Sequence, residues 1–404
     1  MSQLSPESEG SLVYSEFDTS QGRLARLLWE ETFAEYKDIE PGDVRLLYTG
    51  IGEAPYLSSP QTIRIFGDTS KVISYLDLKD YFGQVPRMLF LIGSPLLADD
   101  VVNLKSLARH YKEQGVEKVV AVMTCLAHER QDHTFTGPDG KPIFEATTLK
   151  EIVSNLAAKE LIEVPSGNGE TIYRKDRSID AGFILQPHSF RSVEFGLRHK
   201  FPLLPLDALD FLIEKAQLRK VKNPYVVSAD KGRKDEARRV AEFLNCLRAS
   251  ANKERDRPGE GYPTVTLPEN VLNEIIENGY TVICAEDEIR EGGTLGELGK
   301  LGKLGFNIIV LAPKAIIATR NEISAVDHLL EASIIQIHTT DAVKPQTETT
   351  PINHKLSVYP IGPELEKIIE YLRFHLVDPD NPNWFQPEET GSLVRLELTK
   401  EVYT

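Results

Sequence analysis

The chain has 404 residues, 41% of them hydrophobic and 26% charged, which is typical of a globular protein long enough for two domains. Its formal net charge of −15 argues against general binding to nucleic acid or to an anionic membrane, although a local basic pocket for phosphates is compatible with that total. No apolar run approaches the roughly 18 residues of a membrane helix, and the polar, acidic N-terminus does not resemble a secretory signal. We therefore expect a cytoplasmic protein.

The first half of the chain predicts helices and strands in alternation. A helical pattern over residues 22–36 has one apolar side, which indicates a core helix; a partner-binding or oligomer-capping role is the alternative. The apolar side consists of Leu24, Leu27, Leu28 and Phe33. Apolar runs then predict three buried strands separated by helical patterns. The strands are residues 87–93, 117–123 and 181–185, and the helices lie near 100–114 and 146–159.

The second half repeats this alternation. Four apolar runs predict strands at residues 224–228, 280–285, 307–312 and 333–337, and helical patterns lie near 234–245 and 363–375. Strands that alternate with helices indicate an α/β protein with mostly parallel sheets and helices on their faces. In such sheets ligands bind at the carboxyl ends of the strands. Two polar stretches, 165–178 and 344–354, predict surface insertions or mobile loops.

The predicted elements suggest four segments. Residues 1–60 form an N-terminal extension, and residues 377–404, rich in proline and acid, form a C-terminal tail. Between them we expect an N-terminal domain over residues 61–206 and a C-terminal domain over residues 207–376. The junction between the domains falls where one predicted strand ends and a new helix begins.

The stretch AEDEIREGGTLGE, residues 285–297, has the composition of a phosphate-binding loop. Acids follow a predicted strand, and glycines then open a helix whose first N–H groups point at an anion. Carboxylates beside such a loop accept hydrogen bonds from sugar hydroxyls. The residues of this pattern are Glu286, Asp287, Gly292, Gly293 and Thr294. Arg290 places a cation among the acids, and Glu291 places an anion beside the glycines.

Immediately beyond, leucine and glycine each recur every three residues in LGELGKLGKLG, residues 295–305. The run is short and lacks proline, so a collagen helix is excluded. We interpret it as an α-helix weakened by glycine, with its leucines toward the sheet; a run of tight turns is the alternative.

Four further segments carry charged or polar groups next to predicted strands. They are VMTCLAHERQDHTF (122–135), LQPHSF (185–190), VVSADKGRKDEARRVAEFLN (226–245) and NKERDRPGEGYP (252–263). Together with the phosphate-type loop, and in this order, these segments resemble ribose-phosphate pyrophosphokinase, also called phosphoribosyl pyrophosphate (PRPP) synthetase. The resemblance extends from about residue 62 to about residue 376.

The resemblance implies a fold and an activity. The fold would consist of two phosphoribosyltransferase-like domains, each a mostly parallel sheet flanked by helices. The reaction would transfer pyrophosphate from ATP to the C1 hydroxyl of ribose 5-phosphate and give PRPP and AMP, with Mg²⁺ as cofactor. ATP and a ribose phosphate would be the ligands. The resemblance also implies a homo-oligomer in which the nucleotide site is shared between subunits. A hexamer is one such oligomer.

The resemblance also assigns roles to individual residues. ATP would be bound by Arg130, Gln131 and Asp132, and by Phe66 and Asp68 of an adenine-binding hairpin from a neighbouring subunit. The ribose phosphate would be bound by Glu286, Asp287, Arg290, Gly292, Gly293 and Thr294. Lys253 and Arg255 would act in catalysis on a mobile loop, where they neutralise charge on the phosphates. His188 and Asp230 would be the metal ligands. Each of these residues also has a structural alternative that does not depend on the resemblance. Lys253 and Arg255 would be solvated charges, His188 would be a structural histidine, and Arg130 and Asp132 would form an internal ion pair.

Three departures from the family pattern affect the expected activity. Arg290 replaces an aspartate that holds the ribose hydroxyls, Glu291 replaces a threonine near the 5-phosphate, and Gln186 replaces an aspartate two residues before the histidine. Each lost hydrogen bond to a charged group costs about 1.5–3 kcal/mol. Three hypotheses follow: an active divergent pyrophosphokinase, a non-catalytic regulatory subunit that associates with a true synthetase, or a pyrophosphokinase with a changed acceptor such as ADP-ribose.

Overall fold

A computed structural model describes most of the chain. The described residues are 20–36, 39–40, 43–51, 63–65, 71–73, 76–131, 135–136, 142–143, 148–166, 170–229, 231–254, 264–320, 323–347 and 349–375. Within these ranges no helix combines the length and apolarity that crossing a bilayer requires. The predicted tail, residues 377–404, lies outside them.

The first sheet has five parallel strands. In spatial order they are β1 (Val44–Tyr48), β4 (Met88–Gly93), β5 (Lys118–Met123), β10 (Ala181–Leu185) and β11 (Leu203–Leu206). Every residue of β4 and β10 is buried, as expected for central strands covered on both faces. The first-half helices are α1 (Ser20–Phe33), α2 (Leu78–Phe82), α3 (Ala98–Glu113), α4 (Thr148–Ala157) and α5 (Arg191–Arg198).

The second sheet has seven parallel strands. In spatial order they are β13 (Leu247–Ser250), β12 (Pro224–Ser228), β16 (Thr281–Ala285), β18 (Ile308–Ala315), β21 (Ile334–Thr340) and β22 (Leu356–Tyr359), with short β17 (Glu288–Ile289) beside the end of β18. The helices here are α6 (Leu209–Lys215), α7 (Lys234–Leu244), α8 (Glu269–Glu277), α9 (Gly293–Gly302), α10 (Ala325–Glu331) and α11 (Gly362–His375). The expected α/β class with parallel sheets flanked by helices is confirmed.

Short antiparallel pairs lie outside the two sheets. They are β2 (Ile63–Ile65) with β3 (Lys71–Ile73), β6 (Phe135–Thr136) with β7 (Pro142–Ile143), β8 (Lys159–Pro165) with β9 (Thr171–Arg177), β14 (Asn252–Glu254) with β15 (Thr264–Thr266), and β19 (Thr319–Arg320) with β20 (Ile323–Ser324). The hairpin of β8 and β9 includes much of the stretch 165–178, so of the two alternatives the structure agrees with a surface insertion, and this insertion forms strands. Polar side chains hid this strand because most residues of β9 are exposed.

One hydrophobic core joins the two halves of the chain. Trp29 of α1 is buried against the first sheet, with its ring centroid 5.0 Å from that of Phe183. Ile368 of α11 belongs to the same core, as do Ile316 and Val343 from loops that follow strands of the second sheet. Helix α11 is thus connected to the second sheet by sequence and packed on the first. The expected extension 1–60 contributes α1 and β1 to this arrangement, and the boundary at residues 206 and 207 stays a prediction.

Helix α9 explains the leucine–glycine repeat, and the interpretation as a helix is confirmed. Its leucines Leu295 and Leu298 are buried in the core of the second sheet. Its glycines let neighbouring segments approach closely: a Cβ at Gly299 would overlap with Ala332 at the end of α10, and one at Gly302 would come within 2.8 Å of the Ser333 Cβ. The three-residue spacing therefore places small residues on the helix face that meets α10.

Candidate functional site

The carboxyl ends of strands from both sheets meet in one region. The loop after β10 of the first sheet contacts the segments after β12 and β16 of the second, and the loop after β5 contacts β18 and the loop after β21. Direct bonds connect the two sides, since the Thr124 hydroxyl donates to the Ala342 carbonyl oxygen at 2.6 Å. This is the edge at which parallel sheets bind ligands.

The centre of this region is a cluster formed by His188, Arg233 and Asp287. His188 Nδ1 lies 2.7 Å from Asp287 Oδ2, and Arg233 Nη2 lies 3.0 Å from the same oxygen. Arg233 Nη2 also donates to the His188 carbonyl oxygen at 3.1 Å, and Nη1 donates to Glu236 Oε1 at 2.8 Å. Asp287 is 3% exposed and Arg233 is 8% exposed. The cluster therefore joins the end of β10, the start of α7 and the end of β16.

Electrostatics keeps this cluster charged. Burial alone would raise the pKa of Asp287, but the Arg233 guanidinium and the hydrogen bond with His188 hold it well below its usual range. Burial alone would lower the pKa of Arg233, yet Asp287 and Glu236 raise it above its ordinary value. Asp287 is a carboxylate at neutral pH, so at 2.7 Å His188 Nδ1 donates its proton to Asp287.

A second group of charged side chains, the Lys314 group, consists of Glu129, Lys314, Glu288 and Arg290. Lys314 Nζ, on β18, donates to Glu129 Oε2 at 2.6 Å and lies 3.9 Å from Glu288 Oε2. Arg290 donates to Glu288 with Nε at 3.0 Å and Nη2 at 3.4 Å. Glu288 and Arg290 are two residues apart on an extended segment, so their side chains share one face. Negative and positive side chains alternate in the Lys314 group.

Neighbouring carboxylates keep both cations of the Lys314 group protonated. Burial would lower the pKa of Lys314, but Glu129, Cys125 and Glu288 raise it above its ordinary value. Burial would likewise lower the pKa of Arg290, but Glu288 raises it. Arg290 is thus a counter-ion of Glu288. Its guanidinium is bound to a carboxylate of the same loop.

The phosphate-type loop has the geometry expected of it. Gly292 has a φ of 71° and precedes the first turn of α9, where its carbonyl oxygen accepts from the Gly296 N–H at 2.8 Å. A Cβ at position 292 would come within 3.1 Å of the Ala325 carbonyl oxygen, so glycine is required by both backbone angle and space. Gly293 and Thr294 lie in the first turn of the ten-residue helix. Their N–H groups are the orphan donors of a helix start.

The remaining predicted residues are placed in part. Arg130 is half-buried in the loop after β5, whereas the Gln131 side chain is exposed and lies 3.0 Å from the His128 ring. Lys253 is on β14, just beyond the edge where the Ala251 N–H donates to the Ser228 carbonyl oxygen at 2.9 Å. Glu286 is buried beside Asp287. Phe66, Asp68, Asp132, Asp230 and Arg255 lie outside the described residues.

The described side chains do not fit a Mg²⁺ ion held by His188. Within the described part of the chain, no three His, Cys, Asp or Glu residues are grouped as metal ligands. Mg²⁺ prefers oxygen ligands in an octahedron, and the carboxylate nearest to His188 is already bound to the Arg233 guanidinium.

Sequence reasoning missed Glu129, Arg233 and Lys314. Lys314 has a usable signal, because it is a lone charge in the otherwise apolar strand IIVLAPKA, and a buried lysine requires a counter-ion. Arg233 has no such signal, since it stands in the charged run DKGRKDEARR.

Comparisons with known proteins agree with this architecture. No family model matches the chain. It is 28% identical over 179 residues to a ribose-phosphate pyrophosphokinase of Sulfurisphaera tokodaii, which covers 44% of this chain and 50% of that protein. It is 22% identical over 254 residues to the enzyme of the same name from Sulfolobus acidocaldarius, covering 62% and 75%. The chain thus spans about half the length of the first relative.

A solved structure shows the same fold. The phosphoribosylpyrophosphate synthetase of Mycobacterium smegmatis is 17% identical, with a TM-score of 0.56 over 81% of this chain and 98% of that chain. At this identity the match is evidence for the fold alone.

Proposed function

The chain is a divergent relative of the ribose-phosphate pyrophosphokinases, and on this premise we propose that it transfers pyrophosphate from ATP to ribose 5-phosphate. The observation that supports the proposal is that the segment leading into the Gly292–Thr294 loop contacts the loops after β10 and β5: Asp287 contacts His188, and Lys314 lies between Glu288 and Glu129. A helix start binds phosphate, and the facing loops belong to the other sheet. In the proposal, the two phosphate-bearing substrates would bind at this edge, one against each sheet.

In the proposed reaction the C1 hydroxyl oxygen attacks the β-phosphorus of ATP. The bond from that phosphorus to the oxygen bridging the α- and β-phosphates breaks, the hydroxyl proton is released, and PRPP and AMP form. Such transfers depend on positioning and charge neutralisation. Lys253 and Arg255 would neutralise the transferring phosphates. Mg²⁺ belongs to the proposal only as a companion of the ATP phosphates.

Binding roles complete the proposal. ATP would lie against Arg130, Gln131 and Asp132, with Phe66 and Asp68 contributed by a second copy in a cytoplasmic homo-oligomer. The ribose phosphate would lie against the loop from Glu286 to Thr294, with its phosphate at the start of α9. In this arrangement Asp287 would bind His188 and Arg233 and would not contact the sugar directly.

The position of Arg290 favours one alternative over another. Position 290 is an arginine whose guanidinium is bound to Glu288, so the loop offers the sugar no carboxylate there. This favours a non-catalytic regulatory subunit as the second candidate. The same engagement argues against Arg290 as the receptor for an extra acceptor phosphate, as an ADP-ribose substrate would require.

Phosphorus NMR of the purified protein with ATP and Mg²⁺ tests the proposal. PRPP and AMP should appear together when ribose 5-phosphate is added, and should be lost in Lys253→Ala but kept in Lys303→Ala, an exposed lysine after α9. AMP formed with ADP-ribose alone would indicate a changed acceptor. No AMP with either sugar above the Lys253→Ala background would exclude the enzyme hypotheses and leave the regulatory one.

A further inference from the structure

Arg233 has the contacts of a bound cation. Its two terminal nitrogens reach Asp287 Oδ2 at 3.0 Å, the His188 carbonyl oxygen at 3.1 Å and Glu236 Oε1 at 2.8 Å. The same Nη2 atom lies 3.1 Å from His188 Nδ1. These groups come from three elements, the loop after β10, helix α7 and the loop after β16, and the guanidinium contacts all of them.

The groups around Arg233 are of the types that bind divalent metals, but within the described residues they are not arranged as a set of three metal ligands. Asp287 Oδ2 and His188 Nδ1 are 2.7 Å apart because they share a hydrogen bond, so a metal at Nδ1 would have to displace its proton. Asp287 and Glu236 together carry two negative charges, and Arg233 neutralises one of them. Without the guanidinium, the two carboxylates would lose the cation that contacts both of them.

We propose that Arg233 is a built-in cation that takes the place of a divalent metal between His188, Glu236 and Asp287. It fixes the two carboxylates, and the Asp287 carboxylate that it holds accepts the proton of His188 Nδ1, so this nitrogen has no lone pair for a metal. The positive charge also repels a second cation, because like charges a few ångströms apart in a buried region interact strongly. The folded chain alone therefore binds no divalent cation at His188, and the metal requirement of any reaction here arises from the nucleotide.

Titration of the full chain with Mn²⁺ alone, followed by the paramagnetic resonance signal of free Mn²⁺, tests this assignment. Wild-type protein should bind Mn²⁺ no more tightly than His188→Ala. The Arg233→Met variant should gain one Mn²⁺ per chain with affinity at least about tenfold above wild type, and the further change Asp287→Asn should remove that gain. Arg238→Met is the matched control, since it removes a charge from the same helix that pairs with Asp235 and Glu242, and it should behave as wild type.

Two results would overturn the assignment. One is a Mn²⁺ site in wild type that His188→Ala abolishes, and the other is a folded Arg233→Met variant that binds Mn²⁺ no better than wild type. Circular dichroism establishes whether the variant is folded; if it is not, the comparison of wild type with His188→Ala still decides. These experiments measure Mn²⁺ binding and folding, not turnover. Their outcome is therefore independent of whether the chain is a pyrophosphokinase.

Discussion

Glu129 and Lys314 form a salt bridge of 2.6 Å although 185 residues separate them. Glu129 follows a strand of the first sheet and Lys314 lies on a strand of the second, and their side chains are 2% and 0% exposed. The Leu126 N–H donates to the other Glu129 oxygen at 3.2 Å, so both groups are fixed. The pair is therefore a buried polar bond between the two sheets, beside the shared hydrophobic core.

Removing one member of this pair should be costly. We expect Lys314→Met to lower the free energy of unfolding by about 3–5 kcal/mol, because it leaves a buried carboxylate without its main partner. The double variant Glu129→Leu with Lys314→Met should recover most of that loss, since no unpaired charge remains. Urea unfolding of the single and double variants measures this. Equal losses in Lys314→Met and the double variant would contradict it.

Ribose 5-phosphate binding should respond to Arg290 and Glu288 jointly. Arg290→Asp alone places an acid beside Glu288, so it should destabilise the loop and leave binding weak. Arg290→Asp combined with Glu288→Ile removes that repulsion and supplies a carboxylate for the sugar, worth about 1.5–3 kcal/mol. We expect the double variant to bind ribose 5-phosphate at least about tenfold more tightly by calorimetry. Unchanged affinity in the folded double variant would show that position 290 does not face the sugar.

Helix α9 should not tolerate a side chain at Gly299. Gly299→Ala gains up to about 1 kcal/mol in helix propensity, but the added methyl overlaps with Ala332, and overpacking costs about 1–3 kcal/mol. We expect net destabilisation in thermal unfolding, relieved in part by Ala332→Gly in the same chain. Stabilisation by Gly299→Ala would mean that α9 and α10 are not in close contact.

Helix α11 should stabilise the first sheet. Ile368 is 2% exposed in the shared core, and Ile368→Ala should cost about 2–5 kcal/mol. Hydrogen exchange should then accelerate in β4 and β5, far from the substitution in sequence. Lys367→Ala changes an exposed neighbour on the same helix and should leave exchange in these strands unaltered; acceleration confined to the second sheet in Ile368→Ala would refute the shared core.

Acid should destabilise the protein partly through His338. Burial lowers the pKa of His338 to about 4 from 6.5, so between these values the unfolded chain binds the proton and the folded chain does not. Stability from this group is complete above pH 6.5 and declines as pH falls toward 4, by at most about 1.4 kcal/mol per unit. His338→Gln should reduce the slope of unfolding free energy between pH 5 and 6.5, while His354→Gln, at an exposed position, should retain it. Identical slopes in wild type and His338→Gln would rule out this contribution.

The central strands of both sheets were predictable because they are buried on both faces and appear as uninterrupted apolar runs, as in β4 and β16. The edge strands β1, β13 and β22 were missed, since they are short and partly exposed. The docking of α11 on the first sheet was not predictable, since an apolar helix face does not specify its partner. Strand β9 was missed because its exposed polar residues resemble a loop.

The candidate site was predictable only in part. The spacing of glycines and acids located Asp287 and the start of α9, and the end of a strand located His188. The partners of these residues follow from contacts distant in sequence: Arg233 reaches His188 across 45 residues. The roles of Arg290 and Lys314 likewise depend on Glu288 and Glu129 lying against them, which no local pattern specifies.

Hydrogen exchange of the wild-type chain, with and without ATP and ribose 5-phosphate together, tests the central claim that one cleft between the two sheets binds both ligands. The account predicts slower exchange in the loops after β5, β10, β12 and β16 and in the first turn of α9, whether or not turnover occurs. Unchanged exchange in these segments at saturating ligand, or protection only elsewhere, would contradict it.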